Sequence, residues 1–264
     1  MLPLTYRPVV DRFAMPVPLD PLSAAFYVAA LVAAAALTAR RPIYGLAALV
    51  LTTPVAFAHD ALGTTITLPK TELLGVLLGL STYRGCVKSL RYPPAPLLIG
   101  ALSLLCAITA LTLLDASNRG PVIRETLKIV EYAGFFVAAF LCYTLDRDDA
   151  PLIGAVAVAA TAVALSALVQ EIVGAPSGLY IGQAIVPRIA GLLEGPNQLS
   201  GYCEIAVATL GAWALVRSSA LIGLALGLTV CADILTFSRA GWMGLAVIVT
   251  LLALCDGRRT WFAL

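Results

Sequence analysis

Five ionisable residues in the last third of the sequence, Arg188, Glu194, Glu204, Asp233 and Arg239, have the types and placement to act together. They stand inside or at the rim of long apolar runs, where an ionisable group costs several kcal/mol unless it is paired or wetted, so each is a candidate site residue. Arg239 lies in Thr236-Phe237-Ser238-Arg239-Ala240-Gly241-Trp242, where Ser238 can cap a new helix and Trp242 suits a membrane interface. A guanidinium at a helix N-terminus makes a bidentate anion site that matches phosphate. The competing readings are an arginine that snorkels to lipid headgroups, and a cluster of interhelical ion pairs that only fixes packing.

For these residues to meet, the chain must bring together the ends of three helices, and the composition says what kind. The 264 residues are 60% hydrophobic and 12% charged, with mean hydropathy +0.94. So few charges cannot cover a water-soluble surface, and the net charge of +2 lacks the basic excess of a nucleic-acid binder. The pattern predicts an all-α fold, a polytopic integral membrane helical bundle of about nine transmembrane helices. Their expected limits are Leu22–Thr38, Ile43–Ala58, Leu68–Tyr83, Pro96–Leu114, Thr126–Leu145, Leu152–Val173, Leu199–Val216, Ala220–Phe237 and Gly241–Leu254. Residues 1–21 then form an N-terminal tail, 22–254 the bundle with a longer outer loop at 174–196, and 255–264 a C-terminal tail.

The third helix is short and carries Lys70 and Glu72 in its first turn. If it only dips into the interface, every later orientation reverses. Arg40-Arg41-Pro42 and Asp146-Arg147-Asp148-Asp149 read as tight turns. Gly75-xxx-Gly79 and Gly223-xxx-Gly227 fit close helix approach in lipid, and equally the ordinary packing of small residues, which is the preferred reading. Arg40, Arg41, Arg84, Lys88, Arg91, Arg147, Arg217, Arg258 and Arg259 fall on one side, expected to be cytoplasmic. Arg7, Arg12, Lys70, Arg119, Arg124, Lys128, Arg188 and Arg239 fall on the other, which puts the N-terminus outside. The six cysteines form no CxxC pair and read as small buried hydrophobes, and the lone His59 reads as a solvated rim residue, so no metal site is expected.

The segment Pro187-Arg188-Ile189-Ala190-Gly191-Leu192-Leu193-Glu194-Gly195-Pro196-Asn197-Gln198-Leu199-Ser200-Gly201-Tyr202, followed by a helical hairpin and Phe237-Ser238-Arg239-Ala240-Gly241-Trp242, resembles the bacterial O-antigen ligase and polymerase superfamily. Pro54-Val55-Ala56-Phe57, Thr67-Leu68-Pro69 and Glu72-Leu73-Leu74 are similar to that family's second and third helices. The resemblance implies a metal-independent glycosyl-transferring enzyme of the bacterial inner membrane, its site facing the periplasm or cell exterior. It implies no cofactor, an undecaprenyl-pyrophosphate-linked glycan as donor, and lipid A core or a growing polysaccharide as acceptor. Arg188 and Arg239 would hold the donor pyrophosphate, with Glu194, Asn197, Glu204, Asp233 and Ser238 in support.

Ligases of that family carry an outer-loop histidine after the Ser-Arg helix, proposed to activate the acceptor hydroxyl, and this sequence has no counterpart. The expectation is therefore an incomplete enzyme in which Glu194, Glu204 and Asp233 pair with the arginines rather than act as a base, leaving the catalytic residue unassigned. Two other classes remain open: a small-solute transporter, and a non-catalytic subunit of an envelope-polysaccharide assembly.

Overall fold

The computed structural model describes residues 17–55, 58–61, 64–83, 86, 90–91, 95–112, 119–174, 177–181, 184–193, 195–217 and 219–262. Arg7, Arg12, Arg84, Lys88 and Glu194 lie outside the described residues. Among the described residues the chain forms nine helices: α1 (Pro21–Arg40), α2 (Pro42–Thr52), α3 (Leu68–Ser81), α4 (Ala95–Leu111), α5 (Arg119–Leu145), α6 (Ala150–Val173), α7 (Pro196–Val216), α8 (Ala220–Leu235) and α9 (Arg239–Phe262). Five stretches, Pro21–Arg40, Thr126–Leu145, Ala150–Val173, Pro196–Val216 and Arg239–Asp256, are long and apolar enough to cross a membrane. The protein is a helical membrane protein. The nine expected helices occur in order, but only five meet the length of a full crossing, because α2, α3, α4 and α8 are shorter.

Local chemistry explains several limits. Asp20 caps α1 by accepting the Ser23 N–H at 2.5 Å, with Pro21 in the first turn, where its missing donor costs nothing. The Ser23 hydrogen bonds hold the Asp20 carboxyl below the usual carboxylate range. The second helix stops at Thr52 rather than running to Ala58, since Pro54 has no N–H to extend the ladder. The expected tail from Cys255 onward is instead the last turns of α9, in a stretch with no proline to stop the helix.

Two small sheets were not foreseen. Strands β1 (Val17–Pro18), β2 (Ala58–Ala61) and β3 (Thr64–Thr67) form one, with β1 parallel and β3 antiparallel to β2. The loop after α6 folds into an antiparallel hairpin of β4 (Ser177–Ile181) and β5 (Ala184–Arg188). Pairing two extended segments satisfies backbone groups that an open loop at a membrane surface would leave to water.

Helix α3 packs closely along α1. Gly75 lies against Leu31 and Ala34, and Gly79 against Ala35 and Thr38, so closely that a Cβ at either position would collide with α1. The Tyr83 hydroxyl donates to the Thr38 and Ala39 carbonyls at 3.1 Å. Helix α3 thus runs parallel to α1 and reaches its C-terminal end, which keeps the alternation of helix ends. Gly223 and Gly227 differ: among the described residues nothing lies within 4 Å of a Cβ at either, and no helix approaches them closely.

One core gathers Ala34 of α1, Ile43 and Leu49 of α2, Val76 of α3 and Leu141 of α5. Around α6, α7 and α8 a second is built from Val163, Ala164, Leu199, Cys203 and Ala232, continued by Ala160, Leu210 and Ala225. Helix α2 packs on α6 and joins the halves. The outside of the bundle is apolar, with Val28 and Val32 of α1, Leu104 and Ile108 of α4, Leu224 of α8 and Val247 and Leu251 of α9 exposed. In water such a surface would aggregate, whereas lipid tails cover it without cost.

Candidate functional site

The site is assembled from a loop, a turn and two helix starts. After β5 the chain passes through Ile189 and Ala190, both buried, into Gly191, whose φ of 63° is in the left-handed region. A Cβ there would sit 3.1 to 3.3 Å from Ser166, Val163 and Ala167 of α6, so space as well as conformation calls for glycine. Gln170 of α6 fixes this turn. Its Oε1 accepts the N–H groups of Ala190 at 3.0 Å and Gly191 at 2.9 Å, while its Nε2 donates to the Gly191 carbonyl at 2.8 Å. Gln170 belongs to no motif in the sequence; its one signal is an amide in a mostly apolar helix, next to Glu171.

Arg188 is held from two directions. Its Nε donates to the Thr236 carbonyl at 2.8 Å and its Nη2 to Asn197 Oδ1 at 3.0 Å, which ties β5 to the start of α7 and to the α8–α9 turn. In that turn Phe237 has φ 50°, left-handed for a bulky residue, a strain of about 1–3 kcal/mol. The surroundings hold it: Thr236 Oγ1 accepts the Ser238 N–H, the Phe237 and Trp242 ring centroids are 5.9 Å apart, and Trp242 Nε1 donates to the Ile234 carbonyl. Ser238 then caps α9, its Oγ accepting the Gly241 N–H at 3.3 Å.

Between these elements lies a cavity of about 500 Å³, lined by Arg188, Asn197, Ser200, Glu204, Phe237, Ser238 and Arg239 among others. The N-termini of α7 and α9 both border it, and their free N–H groups and dipoles favour negative charge. Arg239 is exposed and has no ion pair or hydrogen bond among the described residues. Arg188, Asn197, Glu204, Ser238 and Arg239 are therefore brought to one space. Asp233 lies directly behind it, fully buried, with Oδ1 accepting the Ser200 hydroxyl at 2.6 Å.

The expected pairing of the acids with the arginines does not occur for Glu204 and Asp233. The ion pairs among the described residues are Arg41 with Asp146 and Asp148, and Lys70 with Glu131. The reason is geometric: Arg188 is taken up by a carbonyl and an amide, Arg239 turns to the exposed rim, and Asp233 sits one side chain deeper than either. Glu204 stands in the cavity wall against Gly244, where a Cβ would overlap its carboxylate.

His59 is also different from expectation. It is 8% exposed, with Nδ1 3.1 Å from the Tyr27 hydroxyl and Nε2 3.1 Å from Ser23 Oγ, so it joins β2 to α1 rather than standing in solvent. Of the cysteines, Cys142 and Cys203 are buried, whereas Cys231 and Cys255 lie on exposed helix faces. A second, larger groove of about 810 Å³ runs between α1, α3 and α5, walled by aliphatic side chains, and its charged residues Lys70 and Glu131 neutralise each other at 3.2 Å. Comparison of the chain with family models, with curated proteins and with solved structures finds no match.

Proposed function

We propose that the chain binds a polyprenyl-pyrophosphate-linked glycan, with the pyrophosphate in the cavity between the starts of α7 and α9, in the manner of the O-antigen ligases and polymerases that its sequence resembles. One observation carries this reading: two guanidinium groups and two helix N-termini border a single cavity of about 500 Å³. Each favours an anion, and a leaving pyrophosphate gains negative charge as the sugar bond breaks, so fixed cations stabilise that step. The volume is within the range of about 300–1,000 Å³ usual for small-ligand sites. A lipid tail has an apolar bundle exterior to lie against.

In this reading all nine helices cross a bacterial inner membrane, the short ones with their flanking residues, and the cavity opens to the periplasm. The shared end of α1, α3 and α5 supports the alternation, since Tyr83 reaches Ala39 and Arg41 reaches Asp146. The test is binding of undecaprenyl pyrophosphate to the purified chain in detergent, followed by native mass spectrometry. Arg239→Lys keeps the charge and loses the planar fork, so affinity should fall about tenfold, a cost of roughly 1.4 kcal/mol. Equal binding by wild type and Arg239→Ala overturns the reading.

A further inference from the structure

The groove between α1, α3 and α5 carries an ion pair where a lipid carries its headgroup. The far ends of the three helices meet at Arg41, Tyr83 and Asp146, so they run in one direction. The groove of about 810 Å³ begins beside the start of α3, where Lys70 stands in the first turn. Further along the same helices its walls are apolar, with Leu31, Leu77 and Gly134. Polar at one end and apolar below it is the order of groups in a lipid of a single leaflet.

The pair itself is open. Lys70 Nζ is 3.2 Å from Glu131 Oε2, with side chains 41% and 22% exposed, and neither residue has another ion pair or hydrogen bond among the described residues. The three donors of an ammonium and the roughly four acceptor positions of a carboxylate exceed what one contact uses. So open a pair adds little stability, and fixing α3 to α5 does not account for two charges set above an apolar groove.

We propose that this groove binds a zwitterionic glycerophospholipid with a primary ammonium, phosphatidylethanolamine, its phosphate on Lys70, its ammonium on Glu131 and an acyl chain along the apolar walls. The site shares no wall residue with the cavity at α7 and α9 and does not depend on the donor reading. Charge complementarity selects the headgroup. A phosphate beside Lys70 is also beside Glu131, which repels an anion unless the same headgroup brings a cation. Phosphatidylglycerol has the anion alone. Phosphatidylcholine has both charges, but its methylated nitrogen has no N–H to donate to the carboxylate, and a charge-assisted hydrogen bond is the stronger contact.

The full chain, purified in detergent, is mixed with equal amounts of phosphatidylethanolamine, phosphatidylcholine and phosphatidylglycerol, and retained lipid is read by native mass spectrometry beside a thermal melt. The wild type should retain phosphatidylethanolamine over phosphatidylglycerol by about tenfold. Glu131→Gln removes the charge that tells the two apart and should bring that ratio near one, while Lys70→Gln should lower retention of both. Val28 lies in the groove wall and is 62% exposed. Val28→Trp should fill the groove with the ion pair intact and lower retention of all three lipids, which keeps the test decisive where a charge variant fails to fold. Equal retention of the three lipids by the wild type overturns the proposal, as does an unchanged ratio in folded Glu131→Gln or unchanged retention in Val28→Trp. Displacement of phosphatidylethanolamine by undecaprenyl pyrophosphate in Arg239→Ala would give the groove to the polyprenyl chain and overturn it as well.

Discussion

The guanidinium of Arg41 meets the carboxylate of Asp146 in a two-point grip, Nε to Oδ2 and Nη2 to Oδ1, both at 2.9 Å. This joins the α1–α2 turn to the turn between α5 and α6, 105 residues away in sequence. The Arg41 hydrogen bond is the main reason the Asp146 carboxyl lies below its ordinary value. A depressed carboxylate adds stability that is present above the unfolded pKa, about 3.9, and is lost as pH falls through the folded value. Asp146→Asn should therefore lower the melting temperature modestly at pH 7, and the gap from wild type should be smaller at pH 3. A gap of the same size at both pH values would remove the ion pair as its cause.

Glycine contacts sort the four α3 and α8 glycines into two classes. Gly75→Ala and Gly79→Ala should each destabilise by about 1–3 kcal/mol, because the added methyl has backbone of α1 in its way. Gly223→Ala and Gly227→Ala should be neutral or stabilising by up to about 1 kcal/mol, from helix propensity alone. Thermal melts of the four variants in one detergent provide the check.

Gln170→Leu should loosen the segment that carries Arg188. It leaves the N–H groups of Ala190 and Gly191 without their acceptor, at about 1–3 kcal/mol for each buried donor. Hydrogen exchange at these two amides should quicken, and undecaprenyl pyrophosphate binding should weaken although Gln170 is not a wall residue of the cavity. Gln170→Glu keeps the acceptor and should retain more of the protection.

The two arginines should separate in a stability assay. Arg188→Lys forfeits the bonds to Thr236 and Asn197 and should lower the melting temperature as well as donor affinity. Arg239→Lys breaks no described contact and should lower affinity alone. Equal destabilisation by both would place Arg239 in the packing as well.

Asp148 and Ser177 lie at opposite ends of α6, one two residues before its first residue and one four residues after its last. Single cysteines at these positions, on a background lacking the native six, should be labelled by an impermeant reagent from opposite faces of the membrane. Labelling from one face would sink the two-sided arrangement.

Much of this arrangement was legible in the sequence for simple reasons. Apolar runs mark helices whatever they pack against, so nine appear in the expected order. Arg188, Asn197, Glu204, Ser238 and Arg239 reach one cavity because short connections force α7, α8 and α9 to alternate. Partner choice was not legible. Arg188 binds a carbonyl 48 residues away, and nothing in its neighbourhood announces Thr236 as the acceptor. His59 looked like a rim residue because its partners Tyr27 and Ser23 belong to α1, more than 30 residues earlier, and the β4–β5 hairpin carries no run long enough to stand out from a Gly- and Pro-rich loop. Small-residue spacing was equally ambiguous: among the described residues the same Gly-xxx-Gly pattern marks a tight contact in α3 and none in α8.

The parallel pairing of α1 with α3 has a consequence for how the chain is made. Tyr83, which closes that pairing on Thr38, is synthesised 45 residues later. At about 5–20 residues per second a ribosome needs on the order of seconds to cover that interval. During it the face of α1 that bears Ala34 and Thr38 has no protein partner from α3. Thr38 is prepared for the wait, because its hydroxyl donates to the Ala34 carbonyl of its own helix at 2.7 Å. The first helix can thus enter lipid with its polar group already satisfied, and release from the insertion machinery does not have to be timed to the arrival of the third.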